Sequence, residues 1–144
     1  MTAYADTSYL LAFFDPHAAQ SSSVNAYAAR TSVDYHWNVI LRAELRHCLR
    51  RIPVAADRAT AWQAYRATEK WRTRLVHQPV SLQHFIDLAE TRSLADAGTS
   101  GAGTWDLVHV GLALLARAEI FLTCDQAQSV AARRAGLKVK YFAA

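Results

Sequence analysis

Short apolar runs of strand length trade along this chain with longer stretches in which apolar residues recur every three to four positions. Residues 2–5 read as a short strand that ends at Asp6. Thr7-Ser8 then open a helix through Phe14, stopped by Asp15-Pro16 because a residue before proline is pushed out of the helical region. Ser21-Ser22-Ser23 predict a cap for a helix over 24–30, and residues 31–36 read as a short strand or a turn. From Val39 to Ile52 the pattern is helical: Ile40, Leu41, Leu45, Cys48, Leu49 and Ile52 share one stripe, and Pro53 ends it. Residues 55–73 read as a second long helix, Leu75 to Val80 as a strand, and Ser81 as the cap of a helix to about Ala97. Residues 98–103, with three glycines, form the one flexible loop. A helix from Asp106 to about Arg117 and a buried strand from Ile120 to Cys124 follow. The chain closes with a helix from Gln126 to Ala135, ended by Gly136, and an alternating edge strand from Lys138 to Phe142. Strands alternating with helices predict an α/β domain with a mainly parallel sheet, whose functional crevice lies at the carboxyl ends of the strands.

Composition narrows the class. A chain of 144 residues, 52% hydrophobic, suits one domain over residues 1–144 with a real core, and 19% charged residues are too few for a disordered chain. No apolar run reaches the ~20 residues a membrane helix needs. No basic region precedes the first apolar stretch, so a cytoplasmic protein is expected. Cys48 and Cys124 form no C-x-x-C pair and read as small core groups rather than a zinc site or a disulfide. The formal net charge of +4 mildly favours a polyanionic partner, a weak signal alone.

Four acids stand where apolar packing is expected. Asp6 and Asp125 each end a strand, and Glu44 lies on the stripe of Leu41, Leu45 and Cys48. Asp106 leans inward with Val110 and Leu114. Each has a structural alternative: Asp6, Asp106 and Asp125 are placed to cap helices, and Glu44 has Arg42 and Arg46 nearby. Together, however, four inward acids repel one another unless a hard divalent cation with oxygen ligands sits among them. Mg²⁺ or Mn²⁺ so held lowers the pKa of bound water and offsets charge growing on a phosphodiester. No G-x-S-x-G, P-loop, H-E-x-x-H or G-x-G-x-x-G is present. Asp6-Thr7-Ser8 also lacks the second acid that an aspartyl phosphatase wants close by, and a receiver-like domain would need adjacent acids near its first strand.

These residues resemble a known family. Tyr4-Ala5-Asp6-Thr7-Ser8 looks like the opening of PIN domains, and Ala43-Glu44-Leu45-Arg46 like the segment carrying their second acid. The segment from Trp105 to Ala113 resembles that of the third acid, and Phe121 to Gln128 that of the fourth, with its Thr-x-Asp. The tail Ala135-Gly136-Leu137-Lys138-Val139 fits the bacterial VapC-like members. The resemblance implies a PIN-like α/β/α sandwich. It also implies an Mg²⁺-dependent (or Mn²⁺-dependent) endoribonuclease toxin, in which Asp6, Glu44, Asp106 and Asp125 bind the metal. Thr123, and Ser8 with it, would orient a ligand or water. RNA is the implied substrate, a VapB-like antitoxin the implied partner and a homodimer the implied assembly. A PIN nuclease of RNA maturation, one cutting structured DNA, and a non-catalytic RNA-binding or regulatory module stand as alternatives. The intact acids weigh against the last.

Several residues stay open. The 55–74 segment interleaves arginines and Lys70 with Trp62, Tyr65 and Trp71. These aromatics would stack bases, form a dimer contact or face the core. Arg42, Arg46, Arg50 and Arg51 would line an RNA groove, take an antitoxin's acidic groups or be a solvated face. His109, three residues after Asp106, would be an outer ligand or a hydrogen-bonded core histidine. Asp96 is a poor substitute for Asp106. Arg133 and Arg134 complement a helix dipole.

Overall fold

A computed structural model describes residues 1–70 and 74–144. In chain order its elements are β1 (Thr2–Ala5), α1 (Thr7–Phe14), α2 (Ser21–Arg30), β2 (Asp34–Trp37), α3 (Val39–Arg50) and α4 (Ala55–Thr68). After these come β3 (Leu75–His77), α5 (Leu82–Asp96), α6 (Thr104–Leu115), β4 (Ile120–Thr123), α7 (Gln126–Arg134) and β5 (Val139–Tyr141). The strands form one sheet in the order β3-β2-β1-β4-β5, every neighbouring pair parallel. The chain grows outward from β1 in one direction, then returns to its other side with β4. The carboxyl ends of β1 and β4 therefore flank the switch point, where parallel sheets open a crevice.

Strand alternation divides the interior in two. Ala3, Ala5, Ile120 and Leu122 face a core shared with Tyr9, Leu41, Leu45, Leu49 and Tyr65. Tyr4 and Phe121, directly opposite each other in the ladder, face the other core with Val108, Leu112 and Ala132. Their rings stack with centroids 5.8 Å apart. The result is the expected α/β/α sandwich. The α3 stripe holds in Leu41, Leu45, Leu49 and Ile52, whereas Ile40 turns to the second core and Cys48 is half-buried. Both cysteines are free thiols. Among the described residues no helix is long and apolar enough to cross a membrane.

Boundaries shift where tertiary partners decide them. Helix α2 starts at Ser21, and its three serines form the first turn instead of preceding it. Strand β3 stops at His77 because its one partner, β2, ends at Trp37. The predicted helix to residue 73 ends as α4 at Thr68, and its expected last residues, Trp71 among them, lie outside the described residues. Helices α5 and α6 pack so closely at Gly111 that an added Cβ would lie 2.6 Å from Leu88 Cδ2.

Tyr65 is not available to a dimer surface. It is fully buried, edge-on to Phe14. Trp62 packs against the same core, and Arg50 lies over its ring at 5.2 Å.

Candidate active site

Asp6 directly follows β1, and its N–H continues the ladder to Leu122 O at 3.0 Å. Its carboxylate accepts from Tyr9 N (2.8 Å), capping α1, from Ser8 Oγ (2.8 Å) and from Thr123 Oγ1 (2.7 Å). Thr123 ends β4 and accepts from Asp125 N at 2.9 Å, while Ser8 Oγ accepts from Cys124 N at 2.8 Å. Ser8 and Thr123 thus stitch the ends of the two central strands around one carboxylate, which is 1% exposed. Burial pushes the Asp6 carboxyl up to about 6, against the pull of the hydrogen bonds from Thr123, Tyr9 and Ser8.

Glu44 reaches the same end of the sheet from α3. Its Oε2 accepts a hydrogen bond from the Thr7 hydroxyl and meets His109 Nε2 at 2.6 Å. Burial would raise this carboxyl, but its contact with His109 and the Thr7 bond outweigh it and hold it below its ordinary value. Asp106 sits in the first turn of α6 and accepts from Gly103 N at 2.9 Å. Asp125 caps α7 by accepting from Gln128 N at 2.7 Å. The Gln128 side chain, itself buried, donates to Asp106 O at 3.1 Å and ties the two helix starts together. Burial raises the Asp106 carboxyl, and the charges of Asp125 and Glu44 raise it further. Asp106 is therefore close enough to Asp125 and Glu44 to feel their charge.

As they stand, the carboxylates turn to these local bonds, and among the described residues no three His, Cys, Asp or Glu side chains are gathered as a ligand set. Their chemistry nevertheless suits a hard cation. The donors are carboxylate and hydroxyl oxygens, and among the described residues no Lys or Arg pairs with Asp6, Asp106 or Asp125. The capping expected of three of the acids occurs: Asp6 caps α1, Asp125 caps α7, and Asp106 closes a capping box onto Gly103. The suggested pairing of Glu44 with Arg42 or Arg46 does not occur. Those arginines bind Glu69 at 2.7 and 3.0 Å, because α3 packs its arginine side against α4. Asp96 is elsewhere, lining a separate cavity with Arg92 and Arg134.

Thr7, Tyr4, Asn38, Gln78 and Gln128 shape the site, yet sequence reasoning did not single them out. Only Asn38 carried a local signal, as a capping residue directly before an apolar helix: its Oδ1 accepts from Ile40 N and Leu41 N. An apolar groove of about 350 Å³ is lined by Val39, Ile40, Val80, Leu82, Phe85 and Trp105, the last of these preceding Asp106 in α6.

Comparison with curated protein sequences gives no match. Solved structures share the fold at low identity. The chain superposes with a TM-score of 0.69 on VapC20 of Mycobacterium tuberculosis, described as a sarcin-ricin loop cleaving toxin, at 14% identity over 90% of this chain and 94% of that one. It matches VapBC2 of Rickettsia felis, solved bound to a promoter DNA fragment, with a TM-score of 0.64 at 14% identity over 99% of both chains. FitAcB of Neisseria gonorrhoeae gives a TM-score of 0.60 at 15% identity over 95% of both. The family model for the PIN domain matches residues 3–134, a span from the central strand through α7 that takes in all four acids. On that match the chain belongs to the PIN domain family.

Proposed function

We propose that this protein is a metal-dependent endoribonuclease, the toxin half of a toxin–antitoxin pair. The observation that carries the reading is the buried Asp6 at the carboxyl end of β1, held between the hydroxyls of Ser8 and Thr123 and without a basic partner among the described residues. A buried carboxylate of this kind is costly unless a cation is part of the working site. Asp6, Glu44, Asp106 and Asp125 would hold Mg²⁺ or Mn²⁺. Bound there, the ion supplies an activated water and offsets the charge that grows on the phosphodiester. Ser8 and Thr123 keep the Asp6 carboxylate oriented, and Gln128 keeps Asp106 beside Asp125. The apolar groove, with Leu82 75% and Trp105 46% exposed, offers a seat for a segment of a small antitoxin. The cytoplasm is the compartment this reading assigns, and a homodimer its assembly, with Tyr65 taking no part.

Purified protein incubated with total RNA should cut it with Mg²⁺ present and leave it intact with chelator, with the cut sites mapped at nucleotide resolution. Expression of the chain alone should arrest growth, and co-expression of an antitoxin encoded beside it should restore growth. Cleavage without growth arrest would move the reading to an RNA-maturation nuclease. Intact RNA at every metal concentration would refute it.

A further inference from the structure

A line of hydrogen bonds, buried at Tyr4 and His109 and part-buried at its ends, leads from Gln78 to Glu44. Gln78 donates from Nε2 to Leu112 O at 3.0 Å, and its Oε1 accepts from Asn38 Nδ2 at 3.1 Å. Asn38 Oδ1 is engaged by the first N–H groups of α3, so the amide orientation is set. Its second hydrogen goes to Tyr4 Oη at 3.2 Å. That hydroxyl, accepting there, turns its own proton to its other neighbour, His109 Nδ1, at 2.8 Å. Nδ1 is then the acceptor of the ring, and the imidazole proton lies on Nε2, aimed at Glu44 Oε2. The Thr7 hydroxyl lands on that same oxygen. Among the described residues no hydrogen bond reaches Glu44 Oε1.

We infer that His109 is a positioning residue: as the Nε2–H tautomer imposed by Asn38 and Tyr4, it engages Glu44 Oε2 and leaves Oε1 as the oxygen available to a divalent cation. The inference rests on the proposed reading of Glu44 as a ligand. Partners of this kind behind a ligand typically change metal affinity by ~10–100-fold when removed. His109 is 1% exposed, so it acts through Glu44 rather than on a substrate.

The test measures Mn²⁺ binding to the full chain by calorimetry, without RNA. Circular dichroism confirms that each variant is folded. His109→Leu should weaken Mn²⁺ binding by ~10–100-fold. Tyr4→Phe keeps the ring stacked on Phe121 but frees the imidazole to change tautomer, and should cost about 10-fold. His109→Gln presents an acceptor to Tyr4 and a donor to Glu44, and should bind within about threefold of wild type. The ¹⁵N spectrum of the wild-type imidazole should show a protonated Nε2 and a bare Nδ1. A protonated Nδ1 overturns the inference. So does wild-type Mn²⁺ affinity in folded His109→Leu or, should that variant not fold, in Tyr4→Phe. Failure of His109→Gln to recover binding also overturns it. Glu44→Gln separates the two levels: unchanged affinity there removes Glu44 as a ligand, whereas weakened affinity there with unchanged His109→Leu removes only the role of His109.

Discussion

Replacing Asp6 with asparagine should make the metal-free protein more stable at neutral pH while abolishing its activity. The carboxyl titrates at about 6 in the fold against an ordinary 3.8, so the native state holds this proton more tightly than the unfolded chain does. With the folded value raised, the contribution of Asp6 to stability falls as pH rises from about 4 through about 6, and stays low above that. The difference of about 2 pH units, at about 1.4 kcal/mol each, is about 3 kcal/mol. An amide removes the buried charge and keeps an acceptor for Tyr9 N–H. It then donates to Thr123 Oγ1, a hydroxyl that can rotate to accept. Since imperfect repartnering subtracts from the gain, 3 kcal/mol is an upper bound, or about 9 °C in Tm at about 3 °C per kcal/mol for a chain of this length. Thermal unfolding of both proteins in chelator, from about pH 4 to about pH 8, reads the effect. The Tm difference should be near zero at the acid end, open through about pH 6 and level off by pH 7. An Asp6→Asn protein no more stable than wild type at pH 7, or a difference independent of pH, would refute the reasoning that Asp6 is a buried charge awaiting a cation.

The same logic predicts that Mg²⁺ or Mn²⁺ at about a hundred times its dissociation constant stabilises wild type by about 2.7 kcal/mol, read as a rise in Tm that Asp6→Asn does not show. Gly111→Ala should destabilise by about 1–3 kcal/mol in urea unfolding, because its Cβ meets Leu88 Cδ2 at 2.6 Å where α5 and α6 touch. Leu45→Ala, at a fully buried position of α3, should cost about 2–5 kcal/mol by the same measurement.

Local signals and long-range partners divided the determination of this protein between them. Pro16, Pro53, Gly136 and the apolar periodicities mark most elements in the sequence, because each acts through backbone geometry within a few residues. The alternation of those elements is enough for a parallel α/β sheet, and Asp6 and Asp125 announce themselves as acids at strand ends. The register of β1 against β4, which sets Thr123 on the carboxylate of Asp6, arises from pairing across more than a hundred residues, and no local pattern encodes it. Nor did the sequence point to His109 as the partner of Glu44, for which it offered Arg42 and Arg46 instead. The choice fell to packing: α4 presents Glu69 to the arginines, while α6 brings His109 to Glu44. Tyr65 likewise read as a base-stacking, partner-facing or core aromatic, until the docking of α4 on α1 and α3 buried it. The sequence by itself determined which chemical groups are present and which backbone element bears each. Only the tertiary structure decided which groups meet, because burial and hydrogen bonding between distant segments depend on how the whole chain packs.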